Sequence, residues 1–559
     1  MFPRTPEEAS MKITGTRFCA GAALLALISA GAAEAQSKNL DRAQHCAALE
    51  GASVPADAIG LPTGGTVVKS AMLVQGLPTP GLAGEFCRVI AAVQPSPTDA
   101  ATGTPPIQFN LNLPSDWNGK AVHMGGGGYN GMAASGTLWV SHARGTPPLA
   151  KGYATFASDS GHTGLSTSAD FASNDAALLN FAHEHIKKTH DAAFALIQQH
   201  YGKAPSRSYF AGASTGGREG LTAVQRYPQD YDGVYVNAPA IYFWGMRLIG
   251  LKLGQQAYGA PGNFVSPEQF QAINAAATDA CDGDDGAPDG IISDVAACKA
   301  KQAQIVESLT CKGDGDNAVC LTPEQFRTVE ALSEDFTLPY DMAYGVNSYP
   351  GYDVMQGVPI RGNLGMGSSP TLADPVNSLE NGYLFAQGVG YLSYFVTRGA
   401  PFDPMTFDVA NPGTYKDRLV ELSAVIGAMN PDVEAFRAAG GKLLFTQGAA
   451  DEAVSVGGSI RYYDQLVAHY GQQATDDFLR FYVIPGFAHG LGNFIPTWEA
   501  VDVLDAWVEK GEAPDRLEAS DANPATAGRT RPLCRYPAIP VMKAGGDVNS
   551  AESFDCVTR

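Results

Sequence analysis

Positive charge is scarce in this chain of 559 residues. Only 17% of its residues are charged, Lys and Arg number 37 against 57 Asp and Glu, and the formal net charge is −20. No run of basic residues is present, and a phosphate-backbone partner needs a concentrated Lys/Arg surface, so nucleic-acid binding is excluded. Long apolar runs are missing too: beyond the first 35 residues nothing approaches the roughly 18 consecutive apolar residues of a membrane-spanning helix. Absence of any Cys-x-x-Cys pair or companion histidine cluster argues against zinc. The glycine-rich stretch His123–Met132 (HMGGGGYNGM) lacks a following Gly-Lys-Ser/Thr, which removes the phosphate-loop reading. What remains is 45% apolar, as expected of a soluble globular protein, and too long for one ordinary domain.

The amino terminus reads as an export signal. Lys12 and Arg17 precede the apolar run CAGAALLALISAGAA, and Ala33-Glu34-Ala35 offers a small-x-small cleavage site. Removing residues 1–35 takes Cys19 with it and leaves eight cysteines, an even count that in an exported chain implies disulfides. Spacing leaves their connectivity open. The economical pairing joins neighbours, Cys46 with Cys87, Cys281 with Cys298, Cys311 with Cys320 and Cys534 with Cys556, each closing a local loop.

Between about 105 and 240, short β-rich runs (IQFNLNLP, KAVHM, YATFAS, RSYFAGA, DGVYVN) alternate with helical ones, the pattern of a mostly parallel sheet covered on both faces. The alternation stops near 241 and resumes near 437 with KLLFTQG, a helix from Gly458 to Tyr470, LRFYVIPG and a helix from Pro496 to Lys510. An α/β-hydrolase core interrupted by a large inserted lid follows: catalytic domain 36–240 and 437–559, lid 241–436.

Chemistry concentrates at the ends of these strands. Gly212-Ala213-Ser214-Thr215-Gly216 sits between a strand and a helix, the context of a nucleophile elbow. Asp451 follows KLLFTQG and His489 follows LRFYVIPG, giving the chain order Ser, Asp, His of that fold. A serine hydroxyl attacks only when an imidazole takes its proton, and a carboxylate fixes that imidazole's tautomer. Asp451 can also be a turn-capping residue, so Glu452 and Asp477 stay as alternatives for the acid. Backbone amides of Thr215, Gly126 and Gly127 are the candidate oxyanion donors. His162, in SDSGHTG, is assigned a structural role.

These motifs, GGGGYNG, DSGH, GASTGGREG, the placing of Asp451 and His489 and the four local cysteine pairs, resemble the tannase and feruloyl esterase family across nearly the whole chain after residue 35. The resemblance implies hydrolysis of esters of small aromatic acids. It also implies a structural calcium ion in CDGDDGAPDGIISDVAAC, held by Asp282, Asp285 and Asp289 and by the carbonyls of Ala287 and Ile291. Calcium takes six to eight oxygen ligands, which three aspartates interleaved with glycines can supply. Family members typically carry a disulfide between the residues before the serine and after the histidine; here those are Ala213 and Gly490.

The resemblance also implies that a family member acting on terephthalate monoesters holds the free carboxylate with a lid arginine; among Arg247, Arg327, Arg361, Arg398 and Arg418 here, none falls between 362 and 397, the segment expected to face the pocket. Feruloyl-type or galloyl-type esters therefore rank above terephthalate monoesters. Tyr352, Tyr383, Phe385, Tyr391 and Phe395 are candidates to line the pocket or pack the core. A serine peptidase and a non-catalytic, calcium-stapled binding protein on a hydrolase fold are the competing readings. The oligomeric state is not legible.

Overall fold

The computed structural model describes residues 40–76, 81–313, 318–361 and 364–559; the expected export signal lies outside them. Ten strands form one sheet in the order β1-β2-β3-β4-β6-β5-β7-β8-β9-β10. They are β1 (Ser53–Val54), β2 (Thr66–Val74), β3 (Phe86–Val93), β4 (Ile107–Pro114), β5 (Lys120–Met124), β6 (Ala154–Ser158), β7 (Arg207–Ala213), β8 (Gly233–Asn237), β9 (Lys442–Gly448) and β10 (Leu479–Ile484).

The expectation of a mostly parallel sheet, drawn from residues 105–240, holds there except at β4, and the strands before it add an antiparallel half. Strands β6, β5, β7, β8, β9 and β10 run parallel, while β1 to β4 are antiparallel to their neighbours, as is β4 to β6. The difference is legible in burial. Every residue of β8 and β6 is buried, as parallel strands covered on both faces must be, whereas β2 alternates buried and exposed positions over Thr66–Lys69. Among the described residues no helix is long and apolar enough to cross a membrane.

Strands β8 and β9 pair directly, Val234 opposite Leu443, although about two hundred residues separate them in the chain. That excursion is the inserted segment. It leads off with α3 (Phe243–Tyr258), after α1 (His185–Tyr201) and α2 (Thr215–Arg226) of the core, and among its described residues the one sheet is a two-stranded pairing of Phe336–Thr337 with Ser348–Tyr349. After β10 the expected helix from Pro496 begins later, at Ala500: Pro496–Thr497 pairs instead with Arg516–Asp521 as an edge strand. Proline's missing N–H is tolerated at such a strand start. The four expected disulfides are all present, Cys46–Cys87, Cys281–Cys298, Cys311–Cys320 and Cys534–Cys556.

Candidate active site

Parallel pairing sets the site. Ala213 lies opposite Asn237 and Asn237 lies in register with Thr446, so the loops after β7, β8 and β9 open at the same edge of the sheet. Ser214 follows β7 directly and caps α2 with φ 59° and ψ −123°. Its amide donates to Asn237 O at 3.0 Å and its carbonyl accepts from Ala240 at 3.1 Å, which holds the turn open toward solvent. The glycine at 216 is required by close approach: a Cβ there would lie 2.6 Å from Gly126 O and 2.9 Å from Gly125 C.

Asp451 and His489 come together. The His489 Nδ1 lies 2.9 Å from Asp451 Oδ2 and 3.1 Å from Oδ1. Asp451 Oδ1 also accepts the amides of Ala453 at 2.9 Å and Val454 at 2.8 Å, so it caps its turn and holds the imidazole at once. Of the alternative acids, Asp477 is exposed ahead of β10. Glu452 is fully buried but turned elsewhere, accepting from Arg361 Nε at 2.8 Å and from the His489 backbone amide at 3.1 Å. Burial opposes ionisation of Asp451, yet the His489 charge and hydrogen bond outweigh it and hold the carboxyl below 3.8. Burial likewise disfavours the charged imidazole, but Asp451 and then Glu452 outweigh it, so the His489 pKa lies above 6.5.

Ser214, Thr215 and His489 line one cavity of about 310 Å³ with Gly126, Gly127, His142, Arg247, Leu364 and Tyr383 among its walls. Ser214 and His489 face this cavity without a direct hydrogen bond; such contacts commonly tighten only with substrate present. The expectation for the oxyanion donors needs one correction. Gly126 donates its amide to Glu219 Oε2 at 2.9 Å, so a carboxylate already occupies it. The amides of Gly127 and of Thr215, the first residue of α2, form no hydrogen bond among the described residues.

Two residues that the sequence reading passed over, and one that it named without placing at the pocket, stand in or beside this cavity. Glu219, fully buried, ties the glycine loop to α2 through Gly126 and Asn130 and faces His185 Nε2 at 3.5 Å. His142 stands edge-on to His489, with ring centroids 5.0 Å apart and planes at 88°, and its Nδ1 donates to Asn237 Oδ1 at 2.7 Å. Burial first, and then the charge of His489, pushes the His142 pKa down to about 4, so the ring is neutral at ordinary pH. It occupies the space beside Gly490, where a Cβ would come 3.2 Å from His142 Nε2, and Arg144 Nη2 donates to Gly490 O at 3.1 Å. A ring and a guanidinium thus clasp the histidine loop at a position where the resemblance would put a cysteine. Gly490 itself has φ 79°, a conformation costly for cysteine.

Arg247 is the third; the segment 362–397 faces the cavity as expected, through Leu364 and Tyr383. The lining of the cavity includes this arginine from the start of the insertion, not one from 362–397. Its signal was a lone guanidinium in the apolar run FWGMRLIGL of α3. Of the aromatic candidates Tyr383 lines the cavity; Tyr352, Phe385, Tyr391 and Phe395 are buried in the core. His162 stacks on Phe171 at a centroid distance of 3.7 Å, in keeping with its structural assignment.

In the acidic loop, Asp282 Oδ1 accepts the amides of Asp289, Gly290 and Ile291 at 3.1, 2.7 and 3.0 Å, and Asp285 Oδ1 accepts that of Ala287 at 2.9 Å. Asp285 and the Asp289 side chain are 2% and 5% exposed, and Ala287 and Ile291 are buried. Burial raises both carboxyl pKa values above 3.8, and Asp289 and Asp282 raise that of Asp285 further. Asp289 also meets Arg531. Among the described residues the one group of three metal-ligating side chains converging within 4.8 Å is His190, Asp191 and Asp230, and there Lys187 Nζ already sits 2.9 Å from both carboxylates.

A serine at a strand-to-helix elbow, a carboxylate-held histidine and free amides at one sheet edge define an α/β-hydrolase. Residues 87–557 match the family model for tannase and feruloyl esterase, and the chain belongs to that family of carboxylic ester hydrolases. It is 41% identical over 519 residues to an uncharacterized esterase of Agrobacterium fabrum, covering 91% of this chain and 92% of that one. It is 33% identical over 470 residues to a probable feruloyl esterase of Arthroderma benhamiae, covering 80% and 81%. The crystal structure of feruloyl esterase B from Aspergillus oryzae shares the fold, with a TM-score of 0.72, 23% identity and coverage of 92% of this chain and 100% of that one.

The raised His489 pKa sets a pH dependence. Imidazole is a base only when neutral, so with His489 as the general base, activity is expected above its pKa and lost as pH falls through it. The acidic limb of kcat/KM is expected above 6.5. Asp451→Asn removes the first influence that raises it, and should move the limb downward while lowering kcat by roughly 10⁴-fold. An unshifted limb in Asp451→Asn would mean that another group sets it.

Proposed function

We propose that the protein hydrolyses esters of small aromatic acids through an acyl-enzyme on Ser214. His489 Nε2 takes the Ser214 proton as Oγ attacks the ester carbonyl, with Asp451 holding Nδ1 and stabilising the imidazolium. The amides of Thr215 and Gly127 receive the developing oxyanion. His489 then protonates the departing alcohol, and a water activated by the same imidazole releases the acid. The observation that carries this reading is the shared cavity: nucleophile, carboxylate-held base and two unengaged amides face the same space. Four disulfides favour an exported protein, since such bonds persist in oxidising compartments.

Ser214→Ala tests the assignment on a panel of aromatic esters and peptides. Ester turnover should fall on the order of a million-fold with the circular dichroism spectrum retained. Residual activity within about tenfold of the parent would remove Ser214 from the mechanism. Peptide cleavage without ester cleavage would select the peptidase reading.

We further propose that Asp282, Asp285 and Asp289, with the carbonyls of Ala287 and Ile291, hold a structural calcium ion. Support comes from the donor set, all oxygen and largely buried, and from mutual repulsion of carboxylates that a divalent cation would relieve. An ion bound only by the folded state stabilises it. Chelation should lower Tm, and Asp285→Asn should lower it similarly and make it insensitive to chelator. Equal melting of parent and variant with and without chelator would reduce the loop to a plain acidic turn.

A further inference from the structure

Glu219 is a buried carboxylate to which the mechanism gives no task. It stands in the second turn of α2, is 0% exposed and does not line the cavity, so a substrate cannot touch it. Burial opposes its ionisation, but His185 first, then Arg218 and the Gly126 amide, outweigh it and hold the carboxyl below 4.5. His185, also buried, faces Glu219 Oε1 with Nε2 at 3.5 Å and meets Ser158 Oγ with Nδ1 at 2.9 Å. A bare Nε2 would confront the carboxylate, so the ring keeps its proton there and Nδ1 accepts from Ser158. Ser158 Oγ in turn accepts the Ser160 amide at 3.3 Å.

What Glu219 holds is the glycine loop. Its Oε2 accepts the Gly126 amide at 2.9 Å, and its Oε1 accepts Asn130 Nδ2. The Gly126 carbonyl is bonded to the same helix, accepting the Gly216 amide at 3.1 Å, and the Gly127 carbonyl accepts the Asn130 amide at 2.8 Å. A trans peptide is planar, with its C=O and N–H pointing in opposite directions. Because the Gly126 carbonyl points into α2, the Gly127 N–H of that peptide points away from the helix, toward the cavity that Gly127 lines. The bond from Gly216 also polarises this peptide and makes its N–H a stronger donor.

We propose that Glu219 is the positioning residue of the oxyanion site: by holding Gly126 and Asn130 it aims the Gly127 amide at the oxygen on which charge develops. The inference rests on the acyl-enzyme reading above. Three donors converge on this side chain, from Gly126, Asn130 and His185, and only a group that accepts at both oxygens satisfies them. Glutamine has the same shape, yet its amide nitrogen would confront one of those donors. A carboxylate so near the site would repel the oxyanion if it were bare, and the His185 N–H facing it offsets that charge.

The test compares parent and Glu219→Gln with three probes: methyl ferulate as substrate, ferulate as a ligand without an oxyanion, and phenyl trifluoromethyl ketone. The ketone carbon takes Ser214 Oγ while the serine proton passes to His489, which leaves an oxyanion in a stable adduct. Glu219→Gln should lower kcat at least about 100-fold, the usual cost of an oxyanion donor, with KM changed less than about threefold. Ketone affinity should fall in proportion to kcat/KM, and the Ki of ferulate should stay within about threefold. Parental kcat in Glu219→Gln, or a loss of kcat with ketone affinity retained, overturns the positioning role. Equal weakening of ketone and ferulate overturns it too, since that marks general damage to the cavity. Should Glu219→Gln fail to fold, Asn130→Gly decides by the same ratios, because glycine keeps the φ of 55° at that position and removes the side-chain bond to Glu219. A parent enzyme that turns over methyl ferulate but does not bind the ketone contradicts the acyl-enzyme reading on which the proposal rests.

Discussion

Everything at this site depends on one strained turn. Ser214 has a positive φ of 59°, a conformation that costs a non-glycine residue on the order of 1–3 kcal/mol and survives only where its surroundings over-determine it. Here they do. The Ser214 amide and carbonyl are both bonded, to Asn237 and Ala240, and the glycine loop presses against Gly216 with no room for a side chain. Asn237 is shared: its carbonyl holds the serine turn, its side-chain oxygen holds His142, and its Nδ2 donates to Thr446 Oγ1 at 2.7 Å. One residue at the end of β8 therefore couples the elbow, a neutral histidine beside the base, and the strand that leads to Asp451.

Electrostatics around the base follow the same economy of parts. Asp451 and Glu452 are adjacent in sequence and both buried, but their tasks differ. Asp451 accepts from the imidazole, while Glu452 is neutralised by Arg361 and accepts the backbone amide of the same histidine. Two buried carboxylates near one imidazole raise its pKa, and His142, which desolvation keeps neutral, adds no opposing charge at ordinary pH.

Much of this was legible in the sequence, and the reason is the local character of the signals. The elbow, the strand ends carrying Asp451 and His489 and the disulfide pairs are each encoded within a few residues or by a short loop. What escaped depends on long-range approach. His142 belongs to a loop after β5 and meets Gly490 only through the fold. Gly126 looked like a free donor because its partner, Glu219, lies 93 residues away in the chain. Arg247 was set aside because chain distance from 362–397 stood in for spatial distance from the pocket. The antiparallel strands β1 to β3 precede the stretch from about 105 that was read as alternating, and pairing direction is decided by connection length rather than composition.

The most direct test of the account is to trap the intermediate. Rapid acid quench of the enzyme during turnover of a slowly deacylating aromatic ester, followed by peptide mass spectrometry, should find the acyl mass on the peptide containing Ser214, and no such adduct in a His489→Ala variant. Turnover that proceeds without any covalent adduct, or an adduct on another side chain, would contradict the acyl-enzyme mechanism.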